Sequence, residues 1–166
     1  MLSNQEVAEE LLGKFGEQVF DFEEPYGLLT LSTTREEIIS MLDFLNQHKT
    51  YQINFLTDIT GVHYPDNKGK EFAVVYHLHS FIHNFRVRIK VFIPEADIHI
   101  PTATGLYASA NWMERETYDF YGILFDGHPN LVRILNIEEM DYFPMRKEYA
   151  LEDATREDKI DALFGR

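Results

Sequence analysis

Phe85-Arg86-Val87-Arg88-Ile89-Lys90-Val91-Phe92-Ile93 sets Val87, Ile89, Val91 and Ile93 on one side and Arg86, Arg88 and Lys90 on the other. A period of two is the signature of a β-strand with one buried face and one that is solvated or covered by a partner. Upstream, Glu71–Ser80 reads as a second strand, separated from the first near His83-Asn84, and the two make a meander. Pro65-Asp66-Asn67-Lys68-Gly69 is a turn. From Tyr51 the same period continues backwards. Tyr51, Ile53, Phe55, Thr57 and Ile59 alternate with Gln52, Asn54, Leu56, Asp58 and Thr60, which predicts a third strand.

Around these strands the period changes to that of helices. Ser3 and Glu6 form a capping-box pattern ahead of Val7, Leu11, Leu12 and Phe15, with Gly13 and Gly16 marking the end of a helix. Two short strands are predicted at Gln18–Phe22 and Gly27–Ser32, joined through Pro25-Tyr26-Gly27. Thr34 and Glu37 repeat the capping box, opening a helix to about Asn46 with Ile38, Met41, Leu42 and Leu45 inward. Pro94 and Pro101 bracket a connection read as irregular. A third helix is predicted from Thr104 or Leu106 to Tyr121, with Gly122 as its left-handed terminator. The order predicts an α+β fold: a mostly antiparallel sheet with helices packed on one side. The expected division is a domain over residues 1–139 and an extended charged tail over 140–166.

The chain has 166 residues, no cysteine and a net charge of -13, with 45% hydrophobic residues. That length and composition suit one folded domain. The charge opposes free binding to nucleic acid or to anionic lipid, and without cysteine there is no disulfide or cysteine-held zinc or iron–sulfur site. No secretory or transit pattern opens the sequence, and no apolar run approaches the ~20 residues that cross a bilayer. Membrane work would therefore be expected to run through another protein.

Candidate chemistry is sparse. His77 and His79 share one face of their strand, and His83 would join them if the strand ran on. Such an arrangement is a possible divalent-metal site, but no fourth ligand is visible, and half-exposed strand residues bonded to neighbours or water are the preferred reading. Glu114, Glu116 and Asp119 are acid–base candidates on the third helix. Glu114 and Glu116 stand two apart and cannot face each other, whereas Arg115 and Asp119 at i, i+4 can pair. These groups read as structural or interface ion pairs. Arg86, Arg88 and Lys90 make a basic strip on an acidic chain, read as a solvated face or, more sharply, as a docking surface for an acidic partner. Arg133, Arg146 and Lys147 gather positive charge further on. No phosphate-binding glycine loop or nucleophile elbow occurs in the sequence.

The segment from Glu114 to Leu135, ERETYDFYGILFDGHPNLVRIL, closely resembles the signature E-R-E-x-[WY]-D-[LMF]-[FY]-G-[IV]-x-F-x-G-H-P-x-L-x-R-[IL]-L of the C-subunit family of respiratory complex I. Leu56–Val62, Phe72–Leu78 and Ala108–Trp112 look like the same family, and the likeness runs from about Thr50 to Leu151. Where relatives often read G-H-P-L-R-K-D, this chain has Tyr142-Phe143-Pro144-Met145-Arg146-Lys147-Glu148. The resemblance implies a subunit without catalytic or redox site in an NADH–quinone oxidoreductase that translocates protons. FMN, iron–sulfur clusters and quinone would sit in partner subunits. It implies docking on the large hydrogenase-like D subunit, with the B and I subunits as further neighbours. The place would be the cytoplasmic face of the bacterial inner membrane or the plastid stromal side. Expected interface and structural residues are Glu114, Arg115, Glu116, Asp119, Gly122, Gly127, His128, Pro129, Arg133, Pro144, Arg146 and Lys147. The tail from Met140 is expected to lie along a neighbour and to stay loose without one. An equivalent subunit of a related membrane hydrogenase or ferredoxin-linked complex is the alternative, and a histidine-ligated metal enzyme is a further one.

Overall fold

The computed structural model describes residues 2–149. Its centre is a five-stranded sheet in the order β1-β2-β5-β4-β3, built from β1 (Val19–Glu23), β2 (Leu29–Thr33), β3 (Phe55–His63), β4 (Phe72–Ser80) and β5 (Phe85–Ile93). All neighbours pair antiparallel except β2 with β5, which run parallel. Three helices, α1 (Asn4–Phe15), α2 (Ile38–Gln47) and α3 (Ala110–Tyr121), contribute to one buried cluster with the inner face of the sheet. Val7 and Leu11 come from α1, Met41 and Leu45 from α2, and Val74, Tyr76, Val87 and Ile89 from the strands. The α+β expectation, with a mainly antiparallel sheet, holds.

Local signals explain most of the boundaries. Ser3 Oγ accepts from the Glu6 amide while the Glu6 carboxylate accepts from the Ser3 amide, so the first capping box forms as expected. The helix runs through Gly13 and stops at Gly16, whose φ is 57°. Leu12, expected inward, is 44% exposed. The second capping box does not form. Thr34 turns its hydroxyl to Gln18, and α2 starts at Ile38 with no side-chain cap. Arg35 accounts for this, because it donates to the carbonyls of Asp97 and His99 and pairs with the Asp97 carboxylate, holding this segment in a turn.

The third strand departs most from expectation. It begins at Phe55, not Tyr51, and a bulge lies between Leu56 and Asp58. One extra residue moves every later side chain to the opposite face. Ahead of it Leu56 is buried and Phe55 is 44% exposed; beyond it Ile59, Gly61 and His63 turn inward, so Phe55 and Ile59, read on one face, lie on opposite faces. The connection between the prolines is likewise more regular than expected. After a single 3-10 turn at Glu95–Asp97, β6 (His99–Pro101) pairs in parallel with β7 (Leu124–Asp126). Three-residue strands are too short to show a period, and Pro101 closes the first of them. The third helix starts at Ala110, after turns anchored on the Ala103 carbonyl.

The expected break at 139/140 meets no gap in packing. The Met145 amide donates to the Phe120 carbonyl, and Arg146 Nε donates to the Tyr121 carbonyl, so residues of the expected tail fold back on α3. The rest of that tail, 150–166, lies outside the described residues.

Candidate functional site: the signature segment on the third helix

α3 carries two working stripes. Ala110, Glu114, Thr117 and Tyr121 recur at helical spacing and face the sheet. Tyr121 lies against Gly61, where an added Cβ would come within 2.5 Å of its ring. Trp112, Arg115 and Asp119 form the other stripe, and the loop after β7 is laid over it. Arg115 stacks on Trp112 at 5.1 Å and donates to the carbonyls of Val132 and Arg133.

Asp119 is the anchor of that loop. Its side chain has no exposure, and Oδ2 accepts from the amides of Ile134, Leu135 and Asn136 at 2.8–3.0 Å. Oδ1 accepts from Arg133 Nη1 at 2.8 Å and from Asn136 Nδ2. Burial works to raise the Asp119 carboxyl, but the Asn136 and Leu135 amides and Arg133 outweigh it and hold the group well below the usual range. The expected Arg115–Asp119 pair is thus corrected. Asp119 takes Arg133 as its partner because the loop brings that guanidinium, and three backbone N–H groups with it, onto the carboxylate. Arg133 also donates to the carbonyls of Asp119, Met140 and Tyr142, closing the loop from its far side.

Glu114, by contrast, makes no ion pair among the described residues. Fully buried, it accepts from Thr102 Oγ1 and from the Ala103 amide, and burial, only partly offset by these bonds, pushes its carboxyl up to about 7. Glu116, two residues on, is exposed and makes no ion pair among the described residues. The acids of the helix do not converge.

The remaining expected residues shape the ends of α3. Gly122 sits at φ 77°, a left-handed conformation that suits glycine, and its open side is filled by Phe143 and Arg146. Phe143 lies between the guanidinium groups of Arg133 and Arg146 at 5.0 and 4.9 Å. Gly127, also at positive φ, turns the chain after β7. His128 then accepts from the Asn130 amide through Nδ1 and donates through Nε2 to the Asn111 carbonyl, which fixes the neutral tautomer and clips the turn to the start of α3. Pro129 is exposed and Pro144 half-buried. Lys147 contributes its amide, which donates to Nδ1 of the buried His63, itself stacked on Phe72. Thr102, Gly61, His63 and Phe143 take part in the site without a sequence signal that singles them out. The family-like stretch Leu56–Val62 contains Gly61, but nothing in the sequence points to Tyr121 across from it.

The three strand histidines stay apart. Arg88 Nε donates to His77 Nε2 at 2.9 Å, and burial, then Arg88, lowers the His77 pKa. His79 Nε2 is buried without a partner among the described residues. β4 ends at Ser80, so His83 falls in the following turn, where it donates to the Thr50 carbonyl. Among the described residues no three metal-ligating side chains converge.

The family described as the respiratory-chain NADH dehydrogenase 30 kDa subunit matches residues 31–155. The chain belongs to that family. It is 41% identical to the C subunit of the NADH-quinone oxidoreductase of Citrifermentans bemidjiense over 95% of this chain and 96% of that one. The C subunits of the same enzyme from a Nocardioides species and from Streptomyces coelicolor are 43% and 40% identical, covering 75% and 88% of this chain. This family member spans only 50% and 61% of the length of those two relatives. A trypsin-resistant fragment of Nqo5 shares the fold with a TM-score of 0.65 and 37% identity, over 76% of this chain and 98% of the fragment. A chain of an archaeal membrane-bound sulfane sulfur reductase shares the fold at a TM-score of 0.74, with 23% identity over 89% of this chain and 85% of that one. Among the described residues no helix is long and apolar enough to cross a membrane.

Proposed function

We propose that this chain is a non-redox structural subunit of the peripheral arm of a proton-translocating NADH–quinone oxidoreductase, held on the large hydrogenase-like D subunit through its signature segment. The carrying observation is the loop fastened to Asp119. Its polar groups turn inward on one carboxylate, while Leu135 and Ile137 are presented 64% and 66% exposed, with Trp112 on the helix beneath at 62%. Exposed large apolar groups on a rigid, internally satisfied loop suit docking. The acids of α3 are spread among separate places and form no acid–base pair among the described residues, which suits a chain that acts by position. With no cysteine, it leaves FMN, iron–sulfur clusters and quinone to partner subunits. The B and I subunits are the further neighbours in this reading, and membrane association at the cytoplasmic face runs through the complex.

The test separates assembly from turnover. Leu135→Glu with Ile137→Glu, introduced in the host, should leave the melting temperature of the purified chain unchanged and abolish its co-purification with the large hydrogenase-like subunit. Arg133→Ala should lower the amount of assembled complex while the NADH–quinone turnover of each remaining complex is kept. Normal assembly with lost turnover in either variant overturns the reading.

A further inference from the structure

The helices cover one face of the sheet, and the other is left with an unbalanced charge. On β5 this outer face carries Arg86, Arg88 and Lys90, and β5 contains no acid. The registered neighbours supply none: His79 stands across from Arg86, His77 and Thr30 flank Arg88, and Val75 and Ser32 flank Lys90. Among the described residues carboxylates reach this face only at its margins, where Glu23 approaches Lys90 at 3.7 Å and Asp58 approaches His77 at 3.7 Å. Alternate residues of a strand repeat at about 6.6 Å, so three cations in a row repel one another. A chain of net charge -13 had ample acid for these positions.

The end of the same face is apolar where a turn is normally polar. Phe81 and Ile82, in the turn after β4, are 65% and 68% exposed. Phe81 packs on Phe55 at 4.8 Å and on the ring of His79 at 4.7 Å. His79 Nε2 is buried there with no hydrogen-bond partner among the described residues, a state that costs on the order of 1–3 kcal/mol until something bonds it. An orphaned polar atom, an exposed aromatic pair and a row of three cations, of which only Lys90 has a carboxylate within reach among the described residues, thus share one surface.

We infer that the outer face of β4 and β5 binds an extended acidic segment of a partner polypeptide, with carboxylates at alternate positions over Arg86, Arg88 and Lys90 and an apolar side chain seated against Phe81. An extended chain repeats its same-side residues at the spacing of the cations, so one strand-like segment meets all three. A polar atom of the segment completes His79. The inference rests on the reading of the chain as a member of a larger assembly, but uses a face other than the signature loop. The protein therefore bridges two neighbours.

The experiment places a photoreactive phenylalanine analogue at Phe81 in the full chain, tagged and isolated within its native assembly. Irradiation should join position 81 to a partner polypeptide within a segment bearing alternating Asp or Glu. Arg86→Glu with Lys90→Glu should cut the yield by at least about tenfold, as should added salt, with the melting temperature kept. Arg86→Gln with Lys90→Gln replaces that pair if the reversed charges unfold the chain. An adduct to this chain's own residues, to a second copy or to lipid, an adduct in a segment without acids, or no adduct overturns the inference. Absence of oxidoreductase subunits from the isolated assembly would instead overturn the proposed function, and an acidic partner segment cross-linked there would still support this one.

Discussion

At Glu114 and Asp119, two carboxyls on opposite stripes of one helix, burial acts on both, but only Asp119 has enough donors to outweigh it. The pH dependences are therefore opposite. Glu114 is raised from 4.5 to about 7, so the stability it contributes is complete below pH 4.5 and lost as pH rises through 7, by about 3 kcal/mol in all. Glu114→Gln keeps an acceptor for the Ala103 amide but removes the titrating group, and should flatten urea-measured stability between pH 5 and 8. Asp119 is depressed, so its contribution is present above its ordinary value of 3.8 and is lost as pH falls below it. Arg133→Ala removes the charge paired with a carboxylate of zero exposure and should cost about 3–5 kcal/mol in urea denaturation.

At the scale of elements, α3 is seated by two glycines, one at its flank and one at its end. Gly61 leaves room for the Tyr121 ring, and Gly61→Ala should destabilise by about 1–3 kcal/mol as the helix shifts off β3. Gly122→Ala combines a left-handed backbone with contacts to Phe143 and Arg146 of 2.6 and 2.7 Å from the new Cβ. It should free the segment that folds back under the helix, read as faster hydrogen exchange at the Met145 amide, whose acceptor is the Phe120 carbonyl. Wild-type exchange at Met145 in that variant would mean the fold-back does not depend on the helix end.

For the whole molecule, a helix-on-sheet layer on the order of 10 Å thick separates the signature loop from the outer sheet face. Sites that far apart act independently. Leu135→Glu and Arg86→Glu should therefore reduce assembly additively in free energy when combined, as measured by the fraction of complex recovered at fixed expression. A combined effect well below the sum would mean that one partner covers both faces.

The strands β4 and β5, the helix α3 up to Gly122, and the family signature were legible because each is a local pattern: a period of two, a period near 3.6, or a fixed order of residue types. The α+β class followed from their order, and the separation of Glu114 from Glu116 from helix geometry alone. Arg115–Asp119 misled because i, i+4 spacing says which charges can meet and not which partner a loop will bring. The register of β3 was lost to a single bulge, which leaves composition unchanged and reverses every later side chain. The sequence by itself determined the three helices, the strands β4 and β5, the family and the alternation of charge along β5. The tertiary structure alone decided that Arg133 and three loop amides close on Asp119, that Thr102 and the Ala103 amide bond the buried Glu114, and that of the three β5 cations only Lys90 meets a carboxylate among the described residues. Those depend on residues far apart in the chain whose meeting is fixed by packing, and packing has no local signal.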